Sequence, residues 1–450
     1  MIIKKSIFNR IAINMFIMII VIYVYFIGGL DYTKIFDQLS TLSIILFCTI
    51  IFLNPLGLSS PFSVFTIVLF IYNCGQVWLN LFGVPIIKGN YTIDRYSDEL
   101  LAQSLLFFIL MMASINLFYL FNIGSLKTYI KNNYRKKIKV KKIMFIFIFI
   151  FIICIIYDYN QYKIARTFGY ATALYARANN ELLYMFNCIF PFVIFYIIRL
   201  KVHIRYKMII GIIGVTRYIV TMIFIGYRMQ AVSFILTMIV LLSGIVKKEY
   251  RKKISLFFII GIISIGFISV VTANLRRGLS YVGILDSYYL LLQELGGTFT
   301  DLPIIIRDID EIGVVYGLTY ICGFLYIIPF IGHIIPGMSK YVNLSSILYT
   351  RIKIYGESSL GGSMIAEFFY NFKWLAIIIM GYIMGSLLAR ICNNLYRNKN
   401  FNEYETSIFI YIFYILLLFT RGNIGEITIY IRCVVYLYLF YVIWYKRQRG

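Results

Sequence analysis

Runs of about 20 apolar residues, each closed by a short polar cluster, recur near 11–30, 39–53, 62–83, 99–122, 143–158, 182–199, 208–226, 229–246, 254–273, 363–389, 404–420 and 427–445. A run of that length suits a helix crossing a hydrocarbon core, where a helix satisfies its own backbone hydrogen bonds. A weaker run at 314–331 is flanked or broken by Gly313, Gly317, Gly323 and Pro329. That pattern fits a re-entrant or surface-lying helix better than a continuous span. The pattern therefore predicts an all-α, polytopic transmembrane helix bundle with about twelve spans. Residues 1–273 would hold spans one to nine, 274–362 a large, partly helical outer (periplasmic) loop, and 363–450 spans ten to twelve. Within the loop we expect a helix around Leu279–Leu295, a turn at Gly296–Gly297 and an acidic stretch at Asp308, Asp310 and Glu311. A connection of that length is usually functional when its composition is not that of a disordered chain.

Charge sets the orientation. Basic clusters occur at Lys4/Lys5/Arg10, Lys127–Lys142, Arg199–Lys207, Lys247–Lys253, Arg390/Arg397/Lys399 and Lys446/Arg447/Arg449. All six fall on one side only if 314–331 does not cross, and the retention of Lys and Arg inside places that side and both termini in the cytoplasm. The acids there are Glu249, Glu403 and Glu405; the others are expected outside or near the outer ends of helices. The first apolar run lacks a small-residue cleavage site and is expected to remain as a helix.

Composition excludes several classes. Charged residues make up 14% of the chain, too few for a soluble domain, which carries about 25%. The net charge of +24 is mainly a topology signal, with anionic membrane lipids as sufficient partners. There is no basic–aromatic module for nucleic acid, no Gly-rich phosphate loop and no Walker-type lysine. The seven cysteines are scattered without a CxxC pair, so neither a disulfide framework nor a metal site is read, and no cofactor is expected.

The candidate chemistry lies on the outer face. Arg166, Arg177, Arg228, Arg276, Arg277, Arg351 and Arg421 collect there against the usual bias. A guanidinium stays charged and grips phosphate oxygens in pairs, so the set suits an anionic head such as a diphosphate. Snorkelling or pairing with outer acids is the alternative for each. Arg217 and Arg432 fall inside spans, where either a lipid phosphate or a neighbouring helix would have to partner them. Glu357 and Glu367 flank Gly361-Gly362-Ser363, and on a helix Ser363, Glu367 and Tyr370 share a face. A carboxylate at the membrane boundary can take a proton from a sugar hydroxyl; alternatively Ser363 caps the helix and Glu367 favours its N-terminal end. Of the two histidines, His203 reads as solvated, and His333 as structural or a base.

The Gly226-Tyr-Arg228 turn between spans, the large outer loop and the segment Gly356-Glu-Ser-Ser-Leu-Gly-Gly-Ser-Met-Ile-Ala-Glu-Phe-Phe-Tyr-Asn-Phe372 together resemble the Wzy-type O-antigen and capsule oligosaccharide repeat-unit polymerases. Lys373 stands where members of that family often carry Gly. The resemblance implies a multi-pass enzyme of the bacterial inner (cytoplasmic) membrane. It would join undecaprenyl-diphosphate-linked oligosaccharides on the periplasmic side as a glycosyltransferase without metal, and a chain-length regulator is a candidate partner. On that reading Arg228, Arg276, Arg277 and Arg421 bind diphosphate, Glu357 or Glu367 is the base, and Tyr288, Tyr289 and Tyr370 stack on sugars. A lipid-linked-oligosaccharide flippase would show two similar halves, which this chain lacks; an O-antigen ligase shares the architecture.

Overall fold

A computed structural model describes residues 2–86, 92–125, 140–169, 181–200, 202–246, 261, 284–328, 331–335, 338, 344, 362–396 and 402–447. Every regular element among them is helical. In chain order these are α1 (Ile2–Ile27), α2 (Tyr32–Phe52), α3 (Pro61–Leu81), α4 (Asp98–Ser125), α5 (Val140–Phe168), α6 (Glu181–Arg199), α7 (Ile204–Phe224) and α8 (Arg228–Ile245). There follow α9 (Ile284–Gly296), α10 (Asp301–Ile312), α11 (Leu318–Leu325), α12 (Ile331–Ile334), α13 (Met364–Phe372), α14 (Ala376–Tyr396), α15 (Glu403–Phe419) and α16 (Ile424–Arg447). Short 3₁₀ turns lie at Ile93–Arg95, Gly297–Thr300 and Lys373–Leu375.

Among the described residues 10 helices are long and apolar enough to cross a membrane, and the chain is an all-α polytopic membrane protein. α15 has the apolar character of a span but is 17 residues long. The predicted run at 254–273, apart from Gly261, lies outside the described residues. Among the described residues of 314–328 the chain forms the eight-residue α11, then turns at Tyr326. At about 1.5 Å per residue that helix is far shorter than a span. Cap chemistry sets several starts: Asp31 accepts from the Lys34 amide at 3.2 Å, and Ser60 from the Ser63 amide at 3.2 Å with Pro61 opening α3. His203 does the same for α7, accepting from the Arg205 amide at 3.3 Å.

The chain forms two compact units. The first combines residues 1–127, 274–393 and 419–426. Here α3 and α4 are buried on nearly every face, as helices apolar all round must be, with α1 and α2 packed against α4. α9 lies on α3 at a crossing that only glycines permit. A Cβ on Gly296 would stand 2.4 Å from the Gln76 nitrogen, and one on Gly75 would stand 2.6 Å from the Leu292 carbonyl oxygen. Small residues let membrane helices approach backbone to backbone in this way. The expected turn at Gly296–Gly297 is not there. Gly296 is right-handed helical (φ −69°, ψ −12°), and the chain runs through a 3₁₀ turn directly into α10. Its glycine signals close approach rather than reversal.

The second unit combines residues 128–273, 394–418 and 427–450. α5 packs on α6, and α7 on α6 and α8. The intramembrane arginines find protein partners here. Arg217 donates to both oxygens of Asp158 at 2.7 and 2.9 Å and to the Asn187 side chain, and lies 4.6 Å from the Phe190 ring centre. Arg432 donates to Glu181. Asp158 lies within Ile143–Phe168, where Arg217 neutralises its charge. Breaking a buried pair strands one charge at a cost of about 3–5 kcal/mol, whereas replacing both partners with apolar groups is close to neutral. Asp158→Ala should therefore lower thermal stability in detergent sharply, and Asp158→Leu with Arg217→Met should recover most of it.

Candidate active site

At one end of the first unit, α10, α13 and the start of α16 converge on a set of polar groups shut off from solvent. α13 starts where Ser363 accepts from the Ala366 amide at 3.5 Å. The preceding Gly362 leaves no room for a side chain, since a Cβ there would lie 2.9 Å from the Asn423 nitrogen. One turn into α13, Glu367 is fully buried, and its Oε2 accepts from the Ile424 amide at 2.9 Å. The carboxylate thereby caps α16, a favourable place for negative charge. Its Oε1 has no hydrogen-bond partner, although Thr319 lies beside the carboxyl. Asn371, one turn further on, donates to the Thr319 hydroxyl at 2.8 Å and to the Glu367 carbonyl at 2.8 Å, tying α11 to α13. The Tyr320 hydroxyl is buried without a partner, and burial pushes it well above its ordinary range, with the nearby Glu367 adding to the shift.

The turn that Glu367 caps carries Arg421, half-buried, 6.0 Å from the ring centre of Tyr72. Arg421 acts in turn on Asp301, the first residue of α10. Asp301 is fully buried, and neither carboxylate oxygen has a hydrogen-bond partner. Burial pushes its carboxyl well above the usual carboxylate range; Arg421 opposes this and Glu426 adds to it. Tyr96 stands beside Asp301 and Thr300, with Arg307 and Arg95 also acting on it, and burial raises its hydroxyl too. Gln76 secures the arrangement: its Nε2 donates to the Gln293 carbonyl at 2.8 Å, and its Oε1 accepts from the Ile93 amide at 3.1 Å. Among the described residues no group of His, Cys, Asp and Glu could hold a metal ion.

The profile of the O-antigen polysaccharide polymerase Wzy family matches residues 10–448. The chain belongs to this family. No curated protein and no solved structure matches it. Membership makes it a polysaccharide polymerase of the membrane, and the family acts on lipid-linked oligosaccharide repeat units.

Of the residues singled out from sequence, Glu367, Tyr370 and Arg421 fall in the first unit, with Glu367 bonded to the helix that follows Arg421. Tyr370 is buried and its carbonyl accepts from the Val315 amide at 3.4 Å. Arg166, exposed at the end of α5, and Arg228, the first residue of α8, belong to the second unit. Tyr288 is half-buried and Tyr289 exposed on α9. Arg177, Arg276, Arg277, Arg351 and Glu357 lie outside the described residues, as does the His333 side chain. Asp301, Tyr96, Arg95 and Arg307 were missed. The signal for Asp301 was available in principle, as an acid opening an amphipathic helix just past a glycine pair.

Lys373 stands at a break in the helical path. At Lys373 the chain adopts φ 45°, ψ −135°, a left-handed conformation that breaks the predicted 363–389 run into α13 and α14. Glycine takes such angles freely, while other residues hold them at roughly 1–3 kcal/mol. Lys373 is held with its ε-amino group 3.0 Å from Asp310. Lys373→Gly should raise the melting temperature, by roughly 1 kcal/mol of stability, and Lys373→Ala should not.

Proposed function

We propose that this chain joins oligosaccharide repeat units carried on undecaprenyl diphosphate, at the periplasmic face of a bacterial inner membrane. The acceptor's terminal sugar hydroxyl attacks the donor's anomeric carbon, the glycosyl–phosphate bond breaks, and the electron pair leaves with the lipid diphosphate. The observation that supports this most is the buried Glu367 carboxylate capping the turn that carries Arg421. A leaving diphosphate gathers negative charge, and a fixed guanidinium in a partly desolvated site stabilises that charge as it develops. Glu367 acts here as a positioning residue: through the Ile424 amide it fixes the turn behind Arg421. Arg228, Arg166 and the arginines of the long loop are the further candidates for the diphosphate, and Glu357 and the free Oε1 of Glu367 for the carboxylate chemistry. The apolar helix faces supply the surface along which a polyprenyl tail can lie.

The test is the banding pattern of surface polysaccharide on a silver-stained gel from a deletion strain carrying each variant. The deletion should leave a single repeat unit on the lipid core, and the wild-type gene should restore the ladder. Arg421→Ala, at normal protein level, should cost about 10²–10³-fold in polymerisation and leave short products. Arg421→Lys should recover only part of it, since an ammonium cannot make the paired contact. Loss of even the single repeat would point to a flippase or a ligase instead.

A further inference from the structure

Asp301 is an anomaly that the fold does not explain. Buried polar atoms nearly always have partners, because leaving one bare costs about 1–3 kcal/mol, more if charged. Here both oxygens of one carboxyl are bare, although hydroxyl and amide donors occur throughout the surrounding helices. It is also no part of the spans' interior, since α10 is outside every helix able to cross. The groups acting on it are Arg421 and Glu426, and Tyr96 interacts with it as well as with Arg307 and Arg95. Arg421 is partly exposed and Glu426, Arg307 and Arg95 are exposed. The two charged groups acting on the carboxyl, Arg421 and Glu426, therefore both reach solvent.

Glu367 differs in the relevant respect. One of its oxygens is spent on the Ile424 amide, and losing that bond would release the turn behind Arg421. Asp301 has no such structural duty. A sugar presents vicinal hydroxyls, and a carboxylate with two open oxygens accepts from such a pair. An arginine alongside can donate to a leaving phosphate, and tyrosine rings such as Tyr72 and Tyr96 bound the same nest.

We propose that Asp301 is the catalytic carboxylate that receives the acceptor sugar. It rests on the polymerase reading above. The attacking hydroxyl gives its proton to an Asp301 oxygen as its own oxygen bonds to the anomeric carbon. The glycosyl–phosphate bond breaks, its electron pair leaves on the lipid diphosphate beside Arg421, and the Asp301 proton passes afterwards to water. The acceptor's hydroxyls supply the donors that the carboxyl lacks in their absence. The raised proton affinity of the buried carboxyl suits it to the role, since a base is most effective when its affinity is not far below that of its task.

The sign of the pH effects follows. An acid whose proton affinity rises on folding favours the folded state while protonated, and that stability is lost as pH rises through the raised value. The carboxyl is a base only when ionised, so the rate should rise with pH over the same interval. Asp301→Asn keeps the shape and removes both dependences.

The experiment uses the full chain in lipid vesicles with a synthetic lipid-diphosphate-linked repeat unit. Bond formation is followed across pH, binding of the lipid diphosphate alone is measured separately, and Asp310→Asn serves as the exposed control. Asp301→Asn should lower the rate by about 10²–10⁴-fold, flatten the pH profile, bind the lipid diphosphate as wild type does and melt no lower at alkaline pH. Asp301→Glu should retain part of the rate. If Asp301→Asn polymerises at the wild-type rate, or loses rate together with stability or lipid-diphosphate binding, the proposal is overturned and Asp301 is structural. If the wild-type chain itself forms no bond between repeat units, the polymerase reading fails first.

Discussion

The candidate site depends on two glycine backbones pressed together. α9 can lie on α3 only because Gly75 and Gly296 present no side chains where the helices cross. Gln76, the next residue, then uses both ends of its amide to hold the Gln293 carbonyl and the Ile93 amide. That single buried side chain fixes the end of α9 and the entry to α4 at once. The helical path continues through Gly297–Thr300 without reversing, so the crossing also dictates where α10 starts. Asp301 is the first residue beyond it, and its burial beside Arg421 is a consequence of helix packing two turns earlier. A methyl group at either glycine would move the site as well as loosen the core.

Charge is handled differently in the two units. In the second, Arg217 and Asp158 meet in a two-pronged pair completed by Asn187, and Arg432 meets Glu181. Those arginines are neutralised inside the protein, which removes the need for a lipid phosphate. In the first unit the carboxyls of Glu367 and Asp301 are buried with three of their four oxygens bare. Direct charge pairing favours rigidity, while bare carboxylates raise the energy of the empty site and are relieved by a ligand that brings donors. The second arrangement is the one expected of a place that binds sugar hydroxyls.

Much of the architecture was legible from hydrophobic runs, because a helix in lipid must be long, apolar and self-bonded. The Ser363 cap could likewise be read from local chemistry. What could not be read is long-range. Gly296–Gly297 looks like a turn in sequence, and only its partner Gly75, more than two hundred residues away, shows that it is a crossing. The left-handed backbone at Lys373 could not be read from the residue itself, because lysine has no preference for it. The partner of Arg217 was invisible because Asp158 sits on another helix at no characteristic spacing. Asp301 was overlooked because an acid opening a helix is ordinarily a favourable end residue; its burial comes from elements distant in sequence.

The most direct test of the central claim is to count what leaves when a bond forms. Purified chain in vesicles would be given lipid-diphosphate-linked repeat units alone, with no nucleotide sugar, and the lipid-linked products and free lipid diphosphate would be quantified together. One lipid diphosphate released for each glycosidic bond, with products growing as a ladder of whole repeat units, is the result the account predicts. Bond formation without release of lipid diphosphate, or release without any product longer than one repeat unit, would contradict it.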